Sequence, residues 1–236
     1  MDLTVKKIIF IIIFFVSAAG LFAQEAEVKK TYKIGLTLGA AYMPQSELRD
    51  INRQVEGDLP FAVKTINNFP PYFCYGGYIL SQVSPRFAIG PGYWFYTTGS
   101  RLGARDYSGS YSFDQILTAH SFALNAEWLL PTTTYPVVYL ETIAGANLGN
   151  WKMEETLETG GETQNDVEEL EAVKLFFYPG LKFTWPLNRE FGLGFKLGYS
   201  FDLAGKFHLA GNAEAKSDTK AGFSGPRLKL VLEYGK

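Results

Sequence analysis

Apolar and polar positions alternate with a period of two through most of the chain, the pattern of strands that show one face to an apolar phase and the other to something different. Residues 32–39 set Tyr32, Ile34, Leu36 and Leu38 against Lys33, Gly35, Thr37 and Gly39. Residues 72–82 are apolar on both faces, which leaves their register open. Residues 87–95 set Phe87, Ile89, Pro91, Tyr93 and Phe95 against Ala88, Gly90, Gly92 and Trp94. Residues 121–130 set Phe122, Leu124, Ala126, Trp128 and Leu130 against Ser121, Ala123, Asn125 and Glu127. In residues 138–145, Val138, Leu140, Thr142 and Ala144 oppose Tyr139, Glu141, Ile143 and Gly145. Residues 173–185 carry rings and aliphatics from Val173 to Trp185 opposite Lys174, Phe176, Tyr178, Gly180, Lys182 and Thr184. Residues 191–203 run from Phe191 to Leu203 against Gly192, Gly194, Lys196, Gly198, Ser200 and Asp202. Residues 227–234 close the series, with Leu228, Leu230, Leu232 and Tyr234 against Arg227, Lys229, Val231 and Glu233. Eight strands are predicted.

The connections alternate in length. Those at 43–70, 99–111, 150–169 and within 204–222 are long, whereas 83–86, 131–135 and 186–190 are short and carry Pro or polar turn residues. An antiparallel up-and-down meander with all its elaboration at one end accounts for this. Alternation alone does not say which face is inside. A soluble lipocalin-like barrel points its large apolar side chains inward, and a membrane barrel points them out to lipid. The second arrangement is favoured here, because the opposite face is rich in Gly, Ala and Ser that suit a narrow lumen. Phe87, Trp128, Trp185 and Phe191 also stand near the short turns, where an interfacial girdle belongs.

The N-terminus changes the picture of what is mature protein. Lys6 and Lys7 precede an apolar run over 8–22, followed by Ala23 and Gln24. A basic head, an apolar run of about 15 and a small residue at the cut are the pattern of a secretory signal peptide. Cleavage is expected between Ala23 and Gln24, leaving 24–236 as one barrel domain. The run is short for a helix spanning a core about 30 Å thick. Only 19% of the residues are charged, against about 25% in an average globular protein, as expected of strands with a lipid-facing side. The single Cys74 excludes an internal disulfide framework, and the two His leave no His-based metal cage. A net charge of -2 with no basic block gives no nucleic-acid footprint.

With its signal segment, eight amphipathic strands, and the stretches Gly90-Pro91-Gly92-Tyr93-Trp94-Phe95 and Tyr178-Pro179-Gly180-Leu181-Lys182-Phe183, the chain resembles the small outer-membrane β-barrel family of OmpX-like and OmpA-barrel type. The resemblance implies an all-β fold: an eight-stranded antiparallel transmembrane barrel in the outer membrane of a Gram-negative-type cell. It implies as partners the membrane lipids, the barrel insertion machinery, and a surface ligand or envelope protein, with no cofactor. Members usually end on an aromatic residue, whereas here Tyr234 is followed by Gly235 and Lys236.

On the face assigned to the lumen stand Lys33, Lys174, Lys182, Lys196, Arg227 and Lys229 against Glu127, Glu141, Asp202 and Glu233. Charges in a narrow tube must be paired or hydrated, so these are expected to form a structural salt-bridge network; a narrow, mildly cationic pore is the alternative. Residues 150–171 are acidic and are expected to form a solvated, mobile loop, with divalent-cation binding as the sharper reading. Leu48, Ile51 and Val55 fall at helical spacing, predicting a short amphipathic helix on the barrel rim that stops at Gly57. For catalysis, His120 and Ser121 point to opposite faces of one strand and cannot share a proton. A non-enzymatic structural or surface-interaction role through the long loops is expected. An envelope-assembly or secretion component, or a lipid A-modifying enzyme, are the alternatives.

Overall fold

The structure, a computed structural model, describes residues 31–216 and 221–235. The expected signal segment, with its cut between Ala23 and Gln24, lies outside the described residues. In chain order the elements are β1 (Tyr32–Ala41), α1 (Ser46–Asp58), β2 (Lys64–Asn68), β3 (Tyr72–Ser84), β4 (Phe87–Arg105), β5 (Gly109–Leu129), β6 (Val137–Thr159), β7 (Glu162–Pro186), β8 (Phe191–Ala204), β9 (His208–Leu209), β10 (Asn212–Lys216) and β11 (Gly225–Gly235). Each strand of the ring β1-β3-β4-β5-β6-β7-β8-β11 pairs antiparallel with the next. β11 returns to β1 over Ile34↔Tyr234 to Ala41↔Arg227, so the eight-stranded sheet has no free edge along this seam. Closure satisfies the backbone N–H and C=O groups of the whole ring internally, which a lipid environment demands.

The pairing of β3 settles the register that its two apolar faces left open. Tyr75 and Ile79 stay half-exposed, while Cys74, Tyr78 and Leu80 are buried in the lumen. Small residues face those rings. A Cβ on Gly35 would meet the Tyr78 ring at 2.2 Å, and one on Gly198 would meet the Tyr178 ring at 2.6 Å, so only glycine admits the rings at these two places.

Three sequence-based expectations need correction. The segments 99–111 and 150–169 are not loops: β4 and β5 run 19 and 21 residues, and β6 and β7 run 23 and 25. A membrane crossing takes about 9–11 residues, so β6 and β7 continue outward by roughly a dozen residues, on the order of 40 Å of strand at about 3.3 Å each. The acidic segment is therefore a regular hairpin, paired from Asn150↔Glu171 to Thr159↔Glu162 and turned by Gly160 and Gly161, both at positive φ. Backbone pairing with β5 on one side outweighs the local polarity that reads as a loop. Finally, α1 runs past Gly57 to Asp58, and it does not simply lie on the rim: Leu48 and Asn52 are buried.

Candidate functional site

The lumen is filled by two chemically different regions. Near the short turns, each inward position comes from a paired strand, and long charged side chains reach across the tube. The Lys182 ammonium lies 2.5 Å from Glu127 Oε2 and 2.5 Å from Glu233 Oε1. Lys196 bonds Glu141 and stands 3.6 Å from Glu127 Oε1, while Lys33, at the edge of the group, lies 3.8 Å from Glu127 Oε2. Neutral donors add to these contacts: Tyr78 Oη–H donates to Glu233 at 2.5 Å and the Asn125 amide to Glu141 at 3.0 Å, while Glu127 Oε1 and Glu141 Oε2 are buried without a hydrogen bond. Rings bracket the ammonium groups, with Lys196 Nζ 3.8 Å from the Tyr78 centroid and Lys182 Nζ 4.2 Å from that of Tyr139. Glu127, Glu141, Lys182 and Lys196 are each at most 1% exposed, so this layer closes the tube to water at its own level.

Arg227 and Lys229 stand one step further toward the long-loop end, stacked on rings rather than paired with carboxylates. Beyond them Lys174 bonds the Ala221 carbonyl, and Asp202 accepts from the Phe223 amide at 2.6 Å. All ten charged residues assigned to the lumen from the alternation sit on that face, in three levels. The aromatic partners Tyr78, Trp94, Tyr96, Tyr139 and Tyr178 had not been singled out. Trp94, Tyr96, Tyr139 and Tyr178 carry a signal as large rings on a face otherwise mostly small or polar, whereas Tyr78 lies in the segment whose two apolar faces leave its register open.

The long-loop end is stopped by apolar side chains from segments outside the ring. Met43, Leu48, Phe69, Phe207 and Phe223 are buried against Leu117, Trp151 and Phe176 of the strands. Polar contacts fix α1 in this mouth. The Gln115 amide donates to the Leu48 carbonyl at 3.2 Å and to Asn52 Oδ1 at 2.7 Å, and Trp151 Nε1–H donates to Gln115 Oε1 at 3.2 Å. At the start of α1 the Gln45 side chain bonds the Gly222 backbone in both directions. Higher up, Val63, Leu102, Tyr111 and Phe113 form a second small core against Leu157, which stiffens the projecting hairpin.

The exterior is the inverse of a soluble protein's surface. Leu36 and Leu230 are 63% and 62% exposed, and Leu38, Ile79, Phe122, Leu124, Val173 and Leu228 continue the apolar surface around the ring. Phe87 stacks on Trp128 at 4.3 Å, and Phe191 meets Tyr234 at 5.2 Å near the short turns. His120 lies on this outer face, where Tyr93 Oη is 2.8 Å from its Nδ1, while Ser121 faces inward and bonds Asn147. The two share no hydrogen bond, as their alternation required. Above the apolar surface the outer face becomes polar. Arg101 pairs with Asp114 in a two-bond fork at 2.5 and 2.6 Å, and Lys152 pairs with Glu154 at 2.8 Å. Lys152 holds the Glu154 carboxyl below the usual glutamate range, and Glu154 in turn raises the Lys152 ammonium. Among the described residues no three His, Cys, Asp or Glu side chains converge to hold a metal ion.

A closed eight-stranded barrel with a filled polar lumen, an apolar exterior and one elaborated end has the architecture of the small outer-membrane β-barrels. The chain matches no protein-family model and no curated protein sequence. Among solved structures it is similar in shape to Ail, the attachment invasion locus protein of Yersinia pestis, at 12% identity and a TM-score of 0.41, covering 89% of this chain and 100% of that one. It is similar also to the N-terminal β-barrel domain of Pseudomonas aeruginosa OprF, at 10% identity and a TM-score of 0.37 over 87% and 97% of the two chains. Acinetobacter baumannii CarO2 matches at 14% identity and 0.38 over 86% and 99%. Likeness at this level is one of architecture and says nothing of what the chain binds.

Proposed function

We propose that this chain, exported through a signal peptide cleaved between Ala23 and Gln24, is a non-enzymatic outer-membrane barrel that holds a rigid β-hairpin above the membrane for contact with a surface ligand or envelope partner. The short turns, the start of β1 and the end of β11 face the periplasm, and the β6–β7 hairpin faces outward. The observation that carries this reading is the unequal strand length: the lumen is stopped at two levels, while two strands extend by a dozen residues each with their own small core. The filled lumen favours display over conduction. The ten charged residues of the lumen act in this reading as a structural plug.

The test uses cells expressing the full chain with an epitope inserted between Gly160 and Gly161. The expected result is an outer-membrane fraction whose band changes mobility on heating and antibody binding to intact cells. A soluble periplasmic protein, or an epitope reached only after permeabilisation, overturns the reading. Replacing residues 154–168 by a two-residue turn then separates the barrel from its display: insertion persists and contact with the partner is lost.

A further inference from the structure

The charge balance of the lumen leaves two cations over. In the layer near the short turns Lys33, Lys182 and Lys196 face Glu127, Glu141 and Glu233, three against three. At the level of the mouth, the one carboxylate, Asp202, is shared electrostatically by Lys174 and Arg227. Between these levels lie Arg227 and Lys229, 3% and 2% exposed, and no ion pair among the described residues includes either. Arg227 Nη2–H donates to the Phe223 carbonyl at 2.9 Å, and the other close partners are aromatic. Arg227 Cζ lies 3.8 Å from the Tyr96 centroid and Lys229 Nζ 5.2 Å from the same ring; Lys229 also donates to Tyr96 Oη at 3.0 Å and stands 5.0 Å from Trp94. Rings moderate a buried positive charge without neutralising it.

Hydrogen-bond donors are left over at the same level. Arg227 Nε, Tyr178 Oη and Ser200 Oγ are buried without a partner. The register brings them together. Arg227 pairs with Gly198 of β8, Ser200 is the next lumen-facing residue of that strand, and Tyr178 Oη lies 2.7 Å from where a Cβ on Gly198 would be. An arginine N–H is a donor only, and both hydroxyls are free to donate. Two surplus buried positive charges beside three unclaimed donors form the complement of a small anion, whereas a metal cation would need the opposite surroundings.

We propose that the middle of the lumen holds one small monovalent inorganic anion, of the halide or nitrate class, between Arg227 and Lys229. The ion supplies the counter-charge that the strands do not, and it is taken up as the barrel closes. Its competitor for the same space is water alone.

The experiment uses the full barrel folded in detergent micelles, melted at fixed ionic strength in bromide and in gluconate, which is too large for the site. The expected result is a saturable rise of several degrees in bromide that disappears in Lys229→Met. Crystals grown in bromide are expected to show an anomalous peak within hydrogen-bond reach of Arg227 Nε or Lys229 Nζ, a readout that stands even where the variant fails to fold. Equal melting in the two salts, a bromide effect of the same size in Lys229→Met, or lumen density with no anomalous signal each overturns the proposal.

Discussion

At the short-turn end of the lumen Lys182 and Lys196 stand between Glu127, Glu141 and Glu233, whereas at the long-loop end the same tube is stopped by Met43, Leu48, Phe69, Phe207 and Phe223. The same eight strands wall the tube in both places, so strand number does not account for the difference. The short turns at 84–87, 129–137 and 186–191 add little chain, and the inside must be filled by the strands' own alternate residues. Flexible Lys and Glu side chains span the tube, and because they are charged they must meet partners. At the other end, the connections carrying Met43, Leu48 and Phe69, and Phe207 and Phe223, bring in apolar groups that no strand needs to supply. The strands thus make one stopper and the connections make the other, and the two should fail differently.

The largest effect is expected in the ionic layer. Lys182→Met removes the ammonium that bridges two buried carboxylates, and a loss of about 3–5 kcal/mol is expected from urea unfolding in micelles followed by tryptophan fluorescence. Adding Glu127→Gln and Glu233→Gln should recover part of it, and no recovery would mean that the loss is one of packing. Leu48→Ala in the mouth should remove about 2–3 kcal/mol, at the lower part of the range for buried leucine because a helix in an open mouth can resettle. The same variant should keep the heat-dependent gel shift of the barrel, since the ring closes without α1. Gln115→Ala leaves Asn52 Oδ1 and Trp151 Nε1 without their shared partner, and about 1–2 kcal/mol is expected. Hydrogen exchange should place that loss in α1, with the amides of β8 and β11 unchanged.

The smallest effects belong to the exterior above the membrane. Arg101→Ala, on a side chain 57% exposed, should change stability by less than about 1 kcal/mol, with the difference fading as salt is added. The Lys152–Glu154 pair gives a pH signature rather than a stability one. The folded-state value of Glu154 is depressed, so its favourable contribution is present above the unfolded value and is lost as pH falls through the lowered one. A carboxyl NMR titration should find Glu154 ionising below the ordinary glutamate range, and Lys152→Met should move the midpoint upward. A midpoint that does not move would show that the pair is not populated in solution.

Where a strand is paired on both sides and separates lipid from a polar interior, its residues advertise both faces, and Lys174, Lys182 and Lys196 were placed by alternation alone. The same reading failed at 99–111 and 150–169, because a hairpin above the membrane is solvated on its outer face and its polar composition matches that of a loop. Leu157 and Met153, packed on the cluster of Leu102, Tyr111 and Phe113, give it an apolar side. The mouth was less legible still. Phe69, Phe207 and Phe223 are isolated rings in irregular segments, with no period to reveal them, and only Leu48 carried a helical spacing.

By itself, then, the sequence determined the barrel: a period of two is a local property of each strand, and the alternation of long and short connections orders the strands in space. It also determined which charges face inward. The tertiary structure decided what those charges meet. Lys182 lies between Glu127 and Glu233, 55 and 51 positions away in the chain, because ring closure brings β5, β7 and β11 to opposite walls of one tube. It decided likewise that β3 turns Tyr78 inward, since two apolar faces differ only in what the neighbouring strands place against them. Arg227 and Lys229 are left with aromatic rings for company for the same reason: charge balance at a level of the lumen is a sum over eight strands, and no single strand records it.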